Sequence, residues 1–242
     1  MQSNLYVSLS AQMALQKRLE TIANNVANAS TAGFRAEEVK FETLLSELSL
    51  DPVSYASPGT PYLSRRSGEI VKTDNLFDVA VEGDAWLAIS TPAGTVYTRD
   101  GRFQMAQTGE LQTLNGFPVL DVGGAPILLD PNAGPPRIAR DGMITQNNNQ
   151  VGALGLFTID EKANLSRFEN SGVIPDVPAT PALDFARVGV AQGYIERSNV
   201  NPVMEIARLI AVTRAFEAVT AAITDSEASL QEAIATLGSP SR

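Results

Sequence analysis

Histidine and cysteine are both absent from the 242 residues of this chain. Without histidine, the chain lacks the usual general base and the commonest metal ligand of proteins. Without cysteine, it has no thiol nucleophile, no thiolate zinc site and no disulfide. A Ser-His-Asp triad is therefore excluded, and we expect no catalytic residues, no cofactor and no metal site.

Positive charge and long apolar runs are also scarce. Lysine and arginine number 18 against 27 aspartates and glutamates, which gives a formal net charge of −9. A nucleic-acid-binding surface needs a basic face, so this balance argues against one. No run approaches the roughly 18 apolar residues of a membrane-spanning helix. The N-terminus also lacks the basic and apolar regions of a secretory signal peptide.

Glycine and proline are nearly absent from both ends of the chain. Residues 1–50 contain one glycine and no proline, and residues 195–242 contain one glycine and two prolines. Because these residues break helices and form turns, their distribution predicts a helix, a β-rich insert and a second helix. The predicted segments are an N-terminal helix (1–35), an extended linker (36–75), a β-rich middle domain (76–194) and a C-terminal helix (195–242).

Apolar residues recur every seven positions in both end segments. The N-terminal rows are Leu5, Gln12, Leu19 and Val26 with Ser8, Leu15 and Ile22, widened by Leu9, Met13 and Ala23. The C-terminal rows are Leu209, Phe216, Ile223, Leu230 and Leu237 with Ile206, Thr213, Thr220, Glu227 and Ile234. Each helix alone is compatible with ordinary amphipathic packing. Two such helices at opposite ends favour pairing as an antiparallel coiled coil.

Short apolar stretches separated by turn residues fill the middle of the chain. Asp100-Gly101 and Asn115-Gly116 are typical of tight turns between strands. Residues 51–75 and 170–184 are predicted to be extended connections. Strands are predicted at 77–81, 85–89, 95–98, 102–105, 110–113, 118–122, 136–139, 143–145, 154–159, 165–168 and 185–194. The fold class is therefore α+β, with an antiparallel β domain, barrel or sandwich, inserted between the paired helices.

Three asparagines, Asn24, Asn25 and Asn28, lie on or just past the end of the first helix, and Gly33 follows them. Asparagine is disfavoured inside helices because its amide competes for backbone groups. Two interpretations stay open. The segment is either a frayed helix end with Gly33 as a left-handed stop, or a polar rim at a subunit contact, where amides fix the register.

The same stretch carries a resemblance to a known family. ANNVAN at 23–28 followed by TAGFR at 31–35 resembles the N-terminal signature of the bacterial flagellar rod and hook proteins. YTRDGRF at 97–103 and IERSNVNPV at 195–203 are similar to further blocks of that family, in the same order. Within it, the length and the form of residues 29–36 look most like the proximal rod proteins, with the distal rod proteins as the alternative.

The resemblance implies a structural subunit of the flagellar basal-body rod, which crosses the periplasm. It also implies export through the flagellar type III apparatus without a cleaved signal peptide. The implied partners are other proximal rod proteins and the distal rod protein, with no nucleic acid and no membrane span. The paired helices would form the inner tube, with the β domain outside.

Two further hypotheses come from the residues alone: a secreted carbohydrate-active enzyme, which needs two carboxylates across a cleft, and an extracellular binding module. Neither needs two end helices with matched seams. For a rod subunit, the contact candidates come from the asparagine rim and the helix seams. They are Leu5, Leu15, Leu19, Ile22, Asn24, Asn25, Asn28, Gly33, Phe34, Asn199, Asn201, Leu209, Phe216, Ile223 and Leu230.

Overall fold

The computed structural model describes residues 2–40, 43–46, 53–57 and 59–238. It has a helix at each end and a β-rich middle, so the predicted α+β class is confirmed. The chain divides into two compact units, each built from separate stretches of sequence. The helical unit comprises Met1–Ala27, Glu37–Tyr62 and Asn201–Arg242, and the β unit comprises Asn28–Ala36 and Leu63–Val200.

Two long helices make up most of the helical unit. α1 spans Gln2–Ala27 and α2 spans Pro202–Gly238. Asn201 caps α2, since its Oδ1 accepts a hydrogen bond from the Met204 amide at 3.2 Å. Proline suits the first helical position because no intrahelical partner exists there for an amide. No helix among the described residues is both long and apolar enough to cross a membrane.

The two helices pack on each other. Gln12 Nε2 of α1 donates a hydrogen bond to Thr220 Oγ1 of α2 at 3.2 Å. On α1, Ile22 is buried, whereas the residues expected to widen the stripe, Leu9, Met13 and Ala23, are exposed. The buried face of α1 thus includes fewer apolar residues than the sequence predicted. The side chains of Leu5 and Leu230 lie outside the part of the chain that the structure describes.

Burial along α2 identifies its inner face. The first predicted row is confirmed, because Leu209, Phe216 and Ile223 are half-buried. The second predicted row is partly wrong, because Ile206 and Glu227 are exposed. The row one residue earlier is buried or half-buried instead, and its members are Glu205, Val212, Val219 and Ser226. Apolar residues occur on both the inner and the outer side of this helix. The seven-residue periodicity alone therefore assigned the second row to positions one residue after the buried ones.

Two small antiparallel sheets complete the helical unit. β1 (Glu37–Lys40) pairs with β4 (Thr60–Leu63), and β2 (Thr43–Ser46) pairs with β3 (Val53–Ala56). Part of the predicted extended connection 51–75 therefore forms strands, as its short β-branched and aromatic stretches allow. Positions 51, 52 and 58 of this prediction lie outside the described residues.

The β unit holds fifteen strands in the described residues, in one six-stranded sheet and several smaller ones. The six-stranded sheet is antiparallel, with strand order β15-β16-β8-β7-β14-β17. The strands are β5 (Ile70–Lys72), β6 (Val79–Glu82), β7 (Trp86–Thr91), β8 (Gly94–Thr98), β9 (Phe103–Met105), β10 (Leu111–Thr113), β11 (Arg137–Ile138), β12 (Met143–Gln146), β13 (Asn149–Ala153), β14 (Leu156–Thr158), β15 (Leu165–Phe168), β16 (Gly172–Pro175), β17 (Thr180–Pro181), β18 (Gly189–Gln192) and β19 (Tyr194–Glu196).

Two predictions for this unit need correction. The connection 170–184 contains β16 and β17, because its extended backbone pairs with neighbouring strands. The predicted strand 118–122 forms only isolated bridges, since the Val119 amide donates to Leu111 O and the Leu120 amide donates to Ala88 O. Each of these contacts involves too few successive residues to form a β-ladder.

The main core of the β unit is a cluster of buried aliphatic and aromatic side chains from most of its strands, including Val79, Leu87, Val96, Leu111 and Ile144. The described strands close no barrel, since the large sheet ends at two edge strands, β15 and β17. The sandwich alternative stays a prediction. The buried apolar side chains of this unit thus form one main cluster with smaller clusters beside it.

Candidate functional site

The three sequence blocks of the resemblance meet inside the β unit. Arg35 closes the first block, Arg99 lies in the second and Glu196 lies in the third. Glu196 is fully buried and accepts from both arginines: its Oε1 lies 2.8 Å from Arg35 Nη1, and its Oε2 lies 2.7 Å from Arg99 Nε. Residues far apart in sequence therefore share one buried ion network.

Backbone carbonyls and amides form most of the remaining hydrogen bonds of this ion network. Arg99 Nη1 donates to the carbonyls of Gly83, at 2.8 Å, and Ala85, and its Nη2 donates to Val81 O at 3.2 Å. Glu196 Oε1 also accepts from the Gly68 amide at 2.7 Å. A buried charge is tolerated only when its hydrogen-bonding positions are filled in this way. The strand ends that supply these carbonyls are thereby tied together.

Trp86 stacks against the same network. Its ring centroid lies 5.5 Å from Arg35 Cζ and 5.9 Å from Arg99 Cζ, within the range of cation–π attraction. Burial lowers the pKa of the Arg35 guanidinium to about 10, although the Glu196 carboxylate raises it in part. The Arg35 guanidinium thus stays protonated at neutral pH. Two guanidinium groups share a single carboxylate here, so the loss of that carboxylate would leave two unpaired buried charges.

Asn199 ties the segment that follows α1 to the segment that precedes α2. Its amide donates to Phe34 O at 3.3 Å, and its Oδ1 accepts from the Ala36 amide at 2.7 Å. Its Nδ2 donates to Arg66 O at 2.7 Å. One asparagine side chain therefore pairs with backbone groups of two other segments. Asn199 thus joins segments, whereas the cap of α2 is Asn201.

Phe34 is the centre of a small apolar cluster. It is fully buried and packs with Ala36 and Val200. The Arg167 guanidinium lies over its ring, with Cζ 4.3 Å from the centroid. The same guanidinium donates from Nη2 to Arg35 O at 2.6 Å. The aromatic ring of the signature block is thus covered on one face by apolar atoms and on the other by a cation.

Gly33 adopts the left-handed conformation that was predicted for it, with φ of +67°. Its amide donates to Glu196 O at 2.8 Å. A Cβ at this position would lie 2.2 Å from the Asp100 backbone nitrogen. The α1 helix itself already ends at Ala27, so Gly33 serves the packing of two sequence blocks rather than the stop of the helix.

The three asparagines differ in their surroundings. Asn25 is buried, and its side-chain amide makes two hydrogen bonds to the backbone of Glu37: Nδ2 donates to O at 2.8 Å, and Oδ1 accepts from N at 2.9 Å. Asn28 Oδ1 accepts from Thr31 Oγ1 at 3.2 Å. Asn24 is half-buried. Asn25 therefore fixes the register of β1 on α1 within the chain.

Removal of the Asn25 amide should destabilise the helical unit. We expect Asn25→Ala to lower the free energy of unfolding by about 1–3 kcal/mol, because both backbone groups of Glu37 lose their partner in a buried place. Urea unfolding followed by far-ultraviolet circular dichroism measures the loss. Gln16→Ala, which removes an exposed amide from the same helix, is the control. An equal loss in both variants would contradict this role for Asn25.

The charged and amide side chains that line one polar cleft of the β unit pair with each other. Arg102 Nη2 lies 2.7 Å from Asp100 Oδ2, and Asn115 Nδ2 donates to Glu169 Oε2 at 2.9 Å. Among the described residues, no group of three or more acidic side chains is placed to hold a metal ion. The residues that organise this unit are those of the buried network, not those of the cleft.

Comparison with known proteins shows which family the chain resembles. A protein of Mesorhizobium japonicum named flagellar basal-body rod protein FlgF is 55% identical over 241 residues, which cover all of both chains. The chain belongs to the flagellar basal-body rod protein family. The FlgF protein of Rhizobium meliloti is 50% identical over 98% of this chain and 99% of its own. The FlgG protein of Buchnera aphidicola from Acyrthosiphon pisum is 33% identical over 95% and 97%. The resemblance in the sequence is thus confirmed.

Three family models match separate parts of this rod-family chain. The model described as "Flagella basal body rod protein" matches residues 5–35, and "Flagellar hook protein FlgE/F/G D1 domain" matches residues 80–146. The model "Flagellar basal body rod FlgEFG protein C-terminal" matches residues 191–236. Arg35, Arg99 and Glu196 each fall in a different matched region.

Sequence reasoning did not single out Arg35, Arg99 or Glu196. All three belong to the quoted blocks, where their neighbours drew attention instead. Phe34 and Gly33 were singled out as contact candidates, and the structure places both inside the β unit.

Proposed function

We propose that this chain is a structural subunit of the proximal part of the flagellar basal-body rod, and that it acts by helix packing rather than catalysis. The observation that carries the proposal is the full-length similarity to relatives named FlgF. The relative named FlgG matches at lower identity, which makes a distal rod subunit the weaker alternative. The rod would lie in the periplasm, and the chain would reach it through the flagellar export apparatus without a cleaved signal peptide.

The two end helices are proposed to form an antiparallel coiled coil. Ala29 and Val200, which closely follow α1 and precede α2, belong to one apolar cluster. The end of α1 therefore lies near the start of α2. Gln12 and Thr220 meet roughly 20–30 Å further along both helices, at 1.5 Å per residue. This combination supports opposite chain directions, with the inner rows at seven-residue spacing as the seam.

The contact candidates stay part of this proposal. Asn24 and Asn28 are half-buried and leave area for a neighbour. The seam residues Leu209, Phe216 and Ile223 are also half-buried, and so are Leu15 and Leu19. Candidates that are buried within the chain, such as Ile22, Asn25 and Phe34, would act indirectly by holding the contacting segments in place.

The roles of the four sequence segments are likewise proposed. Segments 1–35 and 195–242 would build the tube, segment 36–75 would link them to segment 76–194, and the last would lie outside. Other proximal rod proteins and the distal rod protein would be the neighbours. Subunits of such a tube need heterologous contacts that do not close on themselves, and long helices provide extended seams for them.

Deletion of the gene tests the proposal. We expect non-motile cells whose basal-body particles, seen by electron microscopy, stop at the inner-membrane ring. The full chain should restore motility, whereas a chain lacking residues 203–242 should not, because it has no α2. Normal motility with complete rods in the deletion strain would overturn the assignment. Particles that end further out, within the distal rod, would favour the FlgG-like alternative.

A further inference from the structure

α1 carries a second stripe that faces away from its inner seam. Its members are exposed and follow alternating spacings of three and four residues, as in a coiled-coil seam. They are Tyr6, Leu9, Met13, Gln16, Glu20, Ala23 and Ala27. The first three are large and apolar, with 57%, 46% and 56% of their surface exposed. A stripe of this kind on a free surface needs a partner that buries it.

α2 carries a matching outer stripe with the same spacing. Its exposed members are Val203, Ala207, Ile210, Arg214, Glu217, Ala221, Thr224, Ala228, Gln231 and Ala235. Side-chain size changes along it: before Arg214 its apolar members include Val203 and Ile210 as well as Ala207, whereas beyond Arg214 they are all alanines. The part of this stripe beyond Arg214 therefore leaves space for large side chains. The first part of the α1 stripe, which holds Tyr6, Leu9 and Met13, supplies such side chains.

We propose that the outer stripe of α1 in one copy packs antiparallel against the outer stripe of α2 in a second copy. The register sets Tyr6 opposite Ala228, Met13 opposite Ala221 and Glu20 opposite Arg214. Tyr6 and Met13 then each meet an alanine, and the acidic Glu20 of one stripe meets the basic Arg214 of the other. The seven-residue spacing of both helices places these three pairs in one line along the contact.

The opposite direction does not give such a match. If Glu20 still faced Arg214 in a parallel arrangement, Leu9 would lie opposite Val203. Tyr6 would then extend past the start of α2 and find no helix to pack on. Size complementarity at the Tyr6 and Met13 layers thus favours the antiparallel register, since overpacking and unfilled space are both destabilising.

Charge supports a second copy as the occupant. Arg214 makes no ion pair within the described residues, and Glu20 accepts only a hydrogen bond of 3.3 Å from Gln16 Nε2. Both groups are exposed and become neighbours only when two copies meet. Such a rim pair adds little affinity, but it fixes the register and rejects like-charged alternatives.

The contact is heterologous, because an α1 stripe meets an α2 stripe rather than its own equivalent. Each added copy therefore leaves one free stripe of each kind, which allows open growth. The inference rests on the proposed rod function for its setting. It adds which faces meet, in which direction and in which register.

The absence of cysteine makes the register directly testable. Chains with Met13→Cys and chains with Ala221→Cys are expressed together in the deletion strain, basal-body particles are isolated, and a mild oxidant is added. We expect a disulfide-linked product of twice the 25.7 kDa chain mass, because facing positions meet the Cβ separation of a disulfide. Met13→Cys with Ala207→Cys, an exposed alanine of the same stripe, is the matched control and should give at least tenfold less product.

The possible outcomes test the proposed contact and the proposed rod function separately. Product from Ala207→Cys but not from Ala221→Cys overturns the antiparallel register. Product from Met13→Cys chains alone overturns the heterologous contact. Particles that contain both chains without any linked product overturn the contact and leave the rod assignment intact. Particles that lack both chains, in cells that stay motile, overturn the rod assignment and the contact with it.

A charge exchange provides a second readout. We expect Glu20→Arg and Arg214→Glu, each introduced into both cysteine chains, to lower the yield of the linked product. Both changes together should restore it, since the opposite charges are then exchanged rather than removed. Failure of the double variant to recover, with both chains present in the particles, would overturn the pairing of these two residues.

Discussion

Glu196→Ala should lower the free energy of unfolding of the β unit by about 3–5 kcal/mol, because it leaves two guanidinium groups buried without a counter-charge. The carboxylate bonds Arg35 at 2.8 Å and Arg99 at 2.7 Å, and none of the three side chains is more than 3% exposed. Water cannot replace the lost partner in such a place. The domain as a whole is expected to retain only a small margin of stability.

Trp86 makes this loss measurable. It is the chain's single tryptophan and is 2% exposed beside both arginines, so its fluorescence during urea unfolding reports on the β unit. Glu69→Ala is the matched control, since Glu69 faces Arg197 at 3.8 Å on the surface and its loss should change little. Glu196→Gln, which keeps one acceptor, should fall between the two. Equal stability of Glu196→Ala and Glu69→Ala would refute the role of the network.

Phe34→Ala should destabilise the β unit by about 3–5 kcal/mol, since the ring is fully buried and the surrounding backbone is held by hydrogen bonds. The cavity would also remove the surface on which the Arg167 guanidinium lies. At about 2–4 °C per kcal/mol for a chain of this size, the midpoint of thermal unfolding should fall by roughly 6–20 °C.

Two variants calibrate that result. Phe34→Leu keeps most of the apolar volume and should cost about 1 kcal/mol. Phe185→Ala removes the same side chain from a position that is 39% exposed, and should shift the midpoint only slightly. A midpoint for Phe34→Ala that matches the Phe185→Ala value would show that the cluster around Phe34 contributes nothing to stability.

The helical part of the fold could be predicted because it depends on local signals. Proline, glycine and Asn201 mark the limits of α2, and seven-residue spacing marks one inner row. The second row could not be assigned from spacing, because Ile206 and Val212 are equally apolar but lie on different faces. Only contact with α1 decides which face is inside. If the proposed contact is correct, the outer apolar face serves another copy.

The buried network could not be predicted for a different reason. Nothing local in Arg35, Arg99 or Glu196 indicates that they converge, since the chain brings them together only after the β unit has folded. Similarly, Asn25 has the sequence context of a surface rim, yet its amide replaces a missing backbone partner of Glu37. Weak strands such as β16 and β17 were missed because their neighbours, not their own residues, hold them extended.

The interleaving of the two units has a consequence for synthesis. α1 leaves the ribosome before α2, its partner, which begins about 175 residues later, or roughly 9–35 s at bacterial elongation rates of ~5–20 residues per second. The β unit, except for its first segment, is contiguous in sequence and can fold in that interval. Both apolar stripes of α1 therefore stay uncovered until α2 has been made. α1 thus acquires its native packing only after its partner appears, and this interval is when the nascent chain is most prone to aggregate.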